Sequence, residues 1–148
     1  MKKEFVIESL RNVLNVQLVE LQSSIKSVNE SIKGEGKSTA GDKYETARAM
    51  NHIELDRLNS SYQKKLKSGS VLNALSISET HKTVGLGSLV TTSKRTLFFC
   101  GAIGKIQIQD TDVLTMSMGS PIGQLYLGKT LGDSIQFNNA TEVIEEIQ

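Results

Sequence analysis

The chain has a single cysteine, Cys100, so it cannot close a disulfide within itself, which agrees with a reducing compartment. Nowhere does it carry the roughly 18 consecutive apolar residues that a membrane helix needs. Its opening, Met-Lys-Lys-Glu-Phe-Val-Ile-Glu-Ser-Leu, has basic residues but no unbroken apolar core, so the expected setting is the cytoplasm, with no membrane partner. An excess of either charge is missing too. Seventeen Lys and Arg stand against sixteen Asp and Glu, a formal +1, which argues against a general nucleic-acid coat or a membrane-surface protein held by bulk charge. Contacts with polyanions must then be local. No internal repeat or low-complexity tract is visible. What is present is an ordinary globular balance, 38% apolar and 22% charged residues, in a length that allows one domain or two small ones.

The chain is organised around a glycine-rich, charged break at residues 34–45, Gly-Glu-Gly-Lys-Ser-Thr-Ala-Gly-Asp-Lys-Tyr-Glu. Ahead of it Ile7, Leu14, Leu21 and Val28 recur every seven residues, and Leu18, Ile25 and Ile32 fill the second apolar position of the same heptads. Behind it Ala47, Met50, Ile53, Leu55, Leu58, Tyr62 and Leu66 form a looser helical stripe. The two patterns predict an antiparallel coiled-coil hairpin over residues 1–67 with its tip at 34–45, the second helix running from Asp42 to about Lys67. At 1.5 Å per residue such a pair spans roughly 40 Å. It has little core of its own, which predicts an element anchored on something else.

Ser68-Gly69-Ser70 breaks the helical pattern, so residues 68–81 read as a linker, with a short helical piece near 71–77. From Lys82 the period drops toward two and glycines become frequent. Strands are expected at 87–92, 95–100, 105–108, 134–137 and 143–147. Between them Ser120-Pro121 has the form of a serine cap with proline at the first helical position, and Gly128 is suited to end that helix. The fold class is therefore α+β: a helical hairpin followed by a small β-rich domain, 82–148, with one short helix.

Asp42 and Glu45 lie three apart, so on a helix their carboxylates share a face and can share a divalent cation, although two carboxylates alone hold Mg²⁺ weakly. Further ligands would have to come from phosphates or from another protein. The same Asp-x-x-Glu spacing is also a capping box, which would use the same oxygens. Gly36-Lys37-Ser38 ends like a phosphate-binding loop, but the first glycine of that motif would fall at Ser31, and the segment follows a helix rather than a strand. Cys100, at the end of Leu97-Phe98-Phe99, reads as a core residue rather than a nucleophile served by His52 or His81. Lys33, Lys37, Lys43 and Arg48 surround the tip, either as a solvated end or as contacts to a nucleic-acid backbone.

Two stretches resemble the GreA/GreB family of bacterial transcript-cleavage factors. Gly41-Asp42-Lys43-Tyr44-Glu45-Thr46-Ala47 is similar to the family tip pattern G-D-x-x-E-N-A, and Ser120-Pro121-Ile122, Leu127-Gly128-Lys129 and Gly132-Asp133 follow its S-P-[LI]…L-G-K-x-x-G-D signature. The resemblance implies an FKBP-like C-terminal domain that docks on RNA polymerase through the second stretch, and a coiled coil that enters the secondary channel. It further implies a monomer that is no enzyme alone, in which Asp42 and Glu45 help hold a shared Mg²⁺ while the polymerase hydrolyses the 3′ end of the nascent RNA. Lys37, Lys43 and Arg48 would lie near that RNA. The FKBP-like fold also occurs in prolyl isomerases, and a fold does not transfer their activity. Thr46 stands where the family has Asn, and an alignment anchored on Tyr44 puts Lys37 and Ala40 at the acidic positions, which implies instead a channel-occupying inhibitor.

Overall fold

A computed structural model describes residues 1–35 and 41–148, without the side chain of Glu35. Two long helices come first, α1 (Lys3–Glu35) and α2 (Gly41–Ala74). They are followed by β1 (Leu89–Thr92), β2 (Thr96–Phe99), β3 (Lys105–Ile108), β4 (Thr111–Met116), the short helix α3 (Pro121–Tyr126), β5 (Ser134–Phe137) and β6 (Ala140–Ile147). The expected class, a helical hairpin followed by a β-rich domain with one short helix, is the one observed. The chain divides into two compact units, one of Met1–Leu14 with Ser68–Gln148 and one of Asn15–Lys67.

Within Asn15–Lys67 the helices run antiparallel. Gln22 donates a hydrogen bond to the Tyr62 hydroxyl at 2.7 Å, and in the other unit Leu14 lies against Gly69, so positions falling along α2 meet positions rising along α1. The α1 seam is the one its heptads predict: Leu18, Leu21, Ile25, Val28 and Ile32 are all half-buried. The α2 seam is so only in part. Ala47, Leu55, Leu58 and Tyr62 of the expected stripe are covered, as are Tyr44, Asn51, Glu54, Ser61, Lys65 and Leu72, while Met50 and Ile53 are 66% and 70% exposed and Leu66 is exposed as well. A heptad position occupied by Asn or Lys cannot be recognised from hydrophobicity, and the apolar residues one position away draw the eye instead.

The second helix also passes through Ser68-Gly69-Ser70 and ends at Ala74, where the expected helix stopped at Lys67 and a linker began. Packing overrides the local break. A Cβ on Gly69 would come within 2.9 Å of Leu14 Cδ2, so glycine there permits close helix contact, and Leu72, one turn on, is fully buried. The division into units accordingly differs from one at residues 67/68 and 81/82: residues 1–14 supply Val6, Ile7, Leu10 and Leu14 to the buried set of the unit that contains the sheet.

The six strands form one sheet in the order β3-β4-β2-β1-β6-β5. All neighbours are antiparallel except β2 and β4, which pair in parallel from Thr96↔Val113 to Phe99↔Met116. β4 is the strand the sequence reading missed. It follows β3 through a tight turn at Gln109 and Asp110, with Gln109 at a φ of 54°. β6 begins at Ala140, three residues earlier than expected, because Asn138 and Asn139 both take left-handed φ (49° and 60°) and close a two-residue hairpin. The core comprises Val84, Val90, Leu97, Phe99, Tyr126, Ile135 and Ile144, with the Phe99 and Tyr126 rings 5.5 Å apart.

Among the described residues two charged side chains are buried in this unit, Lys3 and Glu142. Glu142, on β6, is 3% exposed and accepts from Arg95 Nε at 3.0 Å and from the Thr92 hydroxyl at 2.8 Å. Removing a partner from a buried pair strands the other charge. Because Arg95 is itself 30% exposed, Glu142→Ala should cost about 2 kcal/mol rather than the 3–5 of a fully buried pair. Urea unfolding checks this, and Glu142→Gln, which keeps an acceptor for Thr92, should lose less.

Candidate functional site

The acidic pair lies in the first two turns of α2. Asp42 is the second residue of the helix and Glu45 the fifth; both are exposed, and the spacing of three sets them on one face. Asp42 sits inside the first turn of the helix, where a negative charge complements the helix dipole. Thr46, at the place of the family Asn, donates its hydroxyl to the Asp42 carbonyl at 3.0 Å, a bond within the helix that leaves both carboxylates uncommitted to it. Among the described residues no group of three or more His, Cys, Asp or Glu side chains gathers anywhere. Two exposed carboxylates on one face could supply two of the roughly six oxygen ligands that a hard divalent cation takes.

The basic residues do not converge in the same way. Lys43 and Arg48 are exposed on α2, and five positions apart they leave the helix about 140° from one another. Lys37 lies outside the described residues. Lys33 lines an open groove along the hairpin of about 730 Å³, with Gln22, Lys26, Asn29, Asn59 and Tyr62 among its walls, a polar surface that hydropathy patterns do not reveal.

The second stretch has the local roles its residue types suggest. Ser120 caps α3: its hydroxyl accepts from the Gly123 amide at 3.0 Å and donates to the Ser117 carbonyl at 2.7 Å, and Pro121 follows at the start of the helix. Ile122 is half-buried against the core. Gly128 (φ 75°) and Gly132 (φ 85°) make the two left-handed turns that bring the chain back to the sheet. Between them the Gly128 amide donates to the Val84 carbonyl at 2.9 Å and the Val84 amide to the Lys129 carbonyl at 2.8 Å. Asp133 closes the turn, its Oδ2 accepting from the Thr130 amide at 2.7 Å and from the Thr130 hydroxyl at 3.1 Å, bonds that hold its carboxyl below the usual carboxylate range.

Most of the signature thus shapes its own backbone. What it turns to solvent is a set of leucines, Leu125, Leu127 and Leu131, each at least 40% exposed. The sequence reading singled out Leu127 and missed its two companions, although the leucine repeat was there to be noticed. Two further groups of the unit, Cys100 and Tyr126, are closed off by burial. Burial pushes the Cys100 thiol up to about 12, so it stays protonated at neutral pH, and the Tyr126 phenol is raised by burial first and the nearby Glu142 carboxylate second.

Fold and site together define an α+β protein with a helical hairpin bearing an exposed acidic pair and a six-stranded domain bearing an exposed leucine set. No protein-family model matches the chain, and no curated protein matches it. Among solved structures it is similar to a crystal structure of GreA factor homolog 1 (Gfh1) of Thermus thermophilus, at 16% identity over 93% of this chain and 94% of that one, with a TM-score of 0.39. A structure of the transcription factor Gfh1 is similar at 16% identity over 93% and 92%, with a TM-score of 0.37.

Proposed function

We propose that this chain is a Gre-like transcription factor that binds RNA polymerase in its secondary channel and stimulates cleavage of backtracked transcripts. The observation that carries the proposal is the exposed Asp42–Glu45 pair on one face at the start of α2, directly after the hairpin break. Two carboxylates are too few to hold a cation alone and suited to complete a site that another protein half builds. A shared Mg²⁺ would supply stabilisation of the oxygens entering and leaving a phosphodiester. The chain's own part is to place two negative oxygens and to orient water between them; the chemistry belongs to the polymerase, so alone the protein has no activity. Leu125, Leu127 and Leu131 are the docking surface on the sheet-bearing unit, with Lys129 beside them.

The test is a transcript-cleavage assay on stalled, backtracked complexes. Added protein should shorten the RNA from its 3′ end faster than polymerase alone, only when divalent cation is present. Slowed elongation without any cleavage would overturn this reading in favour of a channel-occupying inhibitor.

A further inference from the structure

The ion pair of Glu142 with Arg95 has an open side. Glu142 Oε2 lies 3.0 Å from Arg95 Nε, and the Thr92 hydroxyl, which donates to the same oxygen at 2.8 Å, accepts from the amides of Lys94 and Arg95 at 3.2 and 3.0 Å. The turn from β1 to β2 is thereby fixed around its arginine. An arginine that serves only to neutralise a carboxylate commonly grips it with two parallel bonds. This one is held at a single nitrogen, and no acceptor among the described residues takes its two terminal nitrogens. Its side chain lines a cleft of about 510 Å³, beside Lys94, which is exposed and has no carboxylate partner among the described residues. Leu114, half-buried against the core, lies in the same cleft, and Lys105, opposite it on β3, and Asp112, two residues before it on β4, share its face of the sheet. Those two pair with each other at 2.8 Å, while Asp110, at the turn between β3 and β4, is exposed and without a cation partner among the described residues.

We propose that this cleft binds a carboxylate side chain on a segment of another protein, received by the terminal nitrogens of Arg95 and by Lys94, with a neighbouring cation of that segment meeting Asp110. The inference does not depend on the polymerase reading. Charge decides the occupant. Glu142 balances Arg95 from behind and Asp112 balances Lys105, so the charges left to a ligand are Lys94 on one side and Asp110 on the other. A planar carboxylate brings one negative charge and two acceptor oxygens, which suits the free edge of a guanidinium. A phosphate monoester brings up to two charges at neutral pH, more than this cleft offsets. A nucleic-acid strand, charged at every nucleotide, meets Asp110 and Asp112 with its next phosphates and is repelled. Leu114 supplies an apolar contact for the methylene groups beneath a glutamate head.

Titration of the full chain, labelled with ¹⁵N, with the peptide acetyl-Glu-Leu-Lys-amide tests this. The amides of Lys94, Arg95 and Thr111 should shift and saturate, and acetyl-Gln-Leu-Lys-amide should bind at least about tenfold more weakly, the loss expected when a charge-assisted pair with arginine is removed. Arg95→Lys keeps a cation for Glu142 but loses the fork, so it should weaken the glutamate peptide by about tenfold. Should that variant fail to fold, Lys94→Gln, at an exposed position, should still weaken the same peptide at least about threefold. Equal shifts from the two peptides, or none from the glutamate peptide, would overturn the site. Tighter saturation by inorganic phosphate than by the glutamate peptide would overturn the carboxylate assignment. Saturable shifts of the same amides by an oligothymidine strand would assign the cleft to nucleic acid and overturn the inference. Each of these outcomes is read without polymerase, so the proposed function stands or falls separately.

Discussion

The double change Asp42→Asn, Glu45→Gln is expected to lower stimulated cleavage at least about tenfold, about 1.4 kcal/mol of transition-state stabilisation, with polymerase binding held within twofold. Both substitutions keep size and an acceptor oxygen, so what is lost is negative charge toward a divalent cation. Raising Mg²⁺ should recover part of the rate. Helix stability should change little, because Asp42 lies inside the first turn of α2, where its charge is worth about 0.3–1 kcal/mol through the helix dipole. Single-turnover cleavage at several Mg²⁺ concentrations, alongside a thermal melt, separates the two roles. Unchanged cleavage, with a lowered melting temperature only when alanine is introduced, would return the pair to helix capping.

Gly123→Ala should have the largest effect on folding of any alanine placed at one of the described glycines. Gly123 is buried in α3, and a Cβ there would collide with the Ser117 carbonyl oxygen and come 2.9 Å from both Cα and O of Met118. Those atoms are backbone and cannot swing aside as a side chain can, so α3 must lift from the loop at 117–119 or the loop must shift. The Ser120 cap would go with it, since its hydroxyl bridges the same Ser117 carbonyl and the Gly123 amide. A cost of about 3 kcal/mol, the upper part of the usual range for overpacking, would lower the melting temperature by roughly 10 °C. Gly128→Ala is the contrasting case: its Cβ meets open space and only the left-handed φ opposes it, so about 1 kcal/mol is expected. A Gly123→Ala protein that melts with the unaltered chain would mean that the helix and loop adjust freely, against the tight contact described here. If docking depends on the leucines carried by α3 and the turn after it, the same variant should also lose polymerase affinity.

Features written into a few neighbouring residues were legible without any structure. The α1 seam follows from leucines and isoleucines seven apart, α3 from Ser120-Pro121, and β3 and β5 from short alternating runs; each depends on contacts that the chain makes with itself nearby. The acidic pair was legible for the same reason, as a spacing of three on a helix is fixed by helix geometry alone. Partners far along the chain decided the rest. Whether Met50 or Asn51 faces α1 depends on the register between two helices, which the apolar pattern of α2 cannot specify when Asn51 and Lys65 occupy its seam. Gly69 reads as a stop until Leu14 is brought against it, and β4 becomes a strand because β2 and β3 flank it on both sides. Residues 1–14 read as the start of the hairpin, yet Val6, Ile7 and Leu10 are buried in the unit that holds the sheet, a long-range pairing set by which apolar surfaces remain to be covered once local structure has formed.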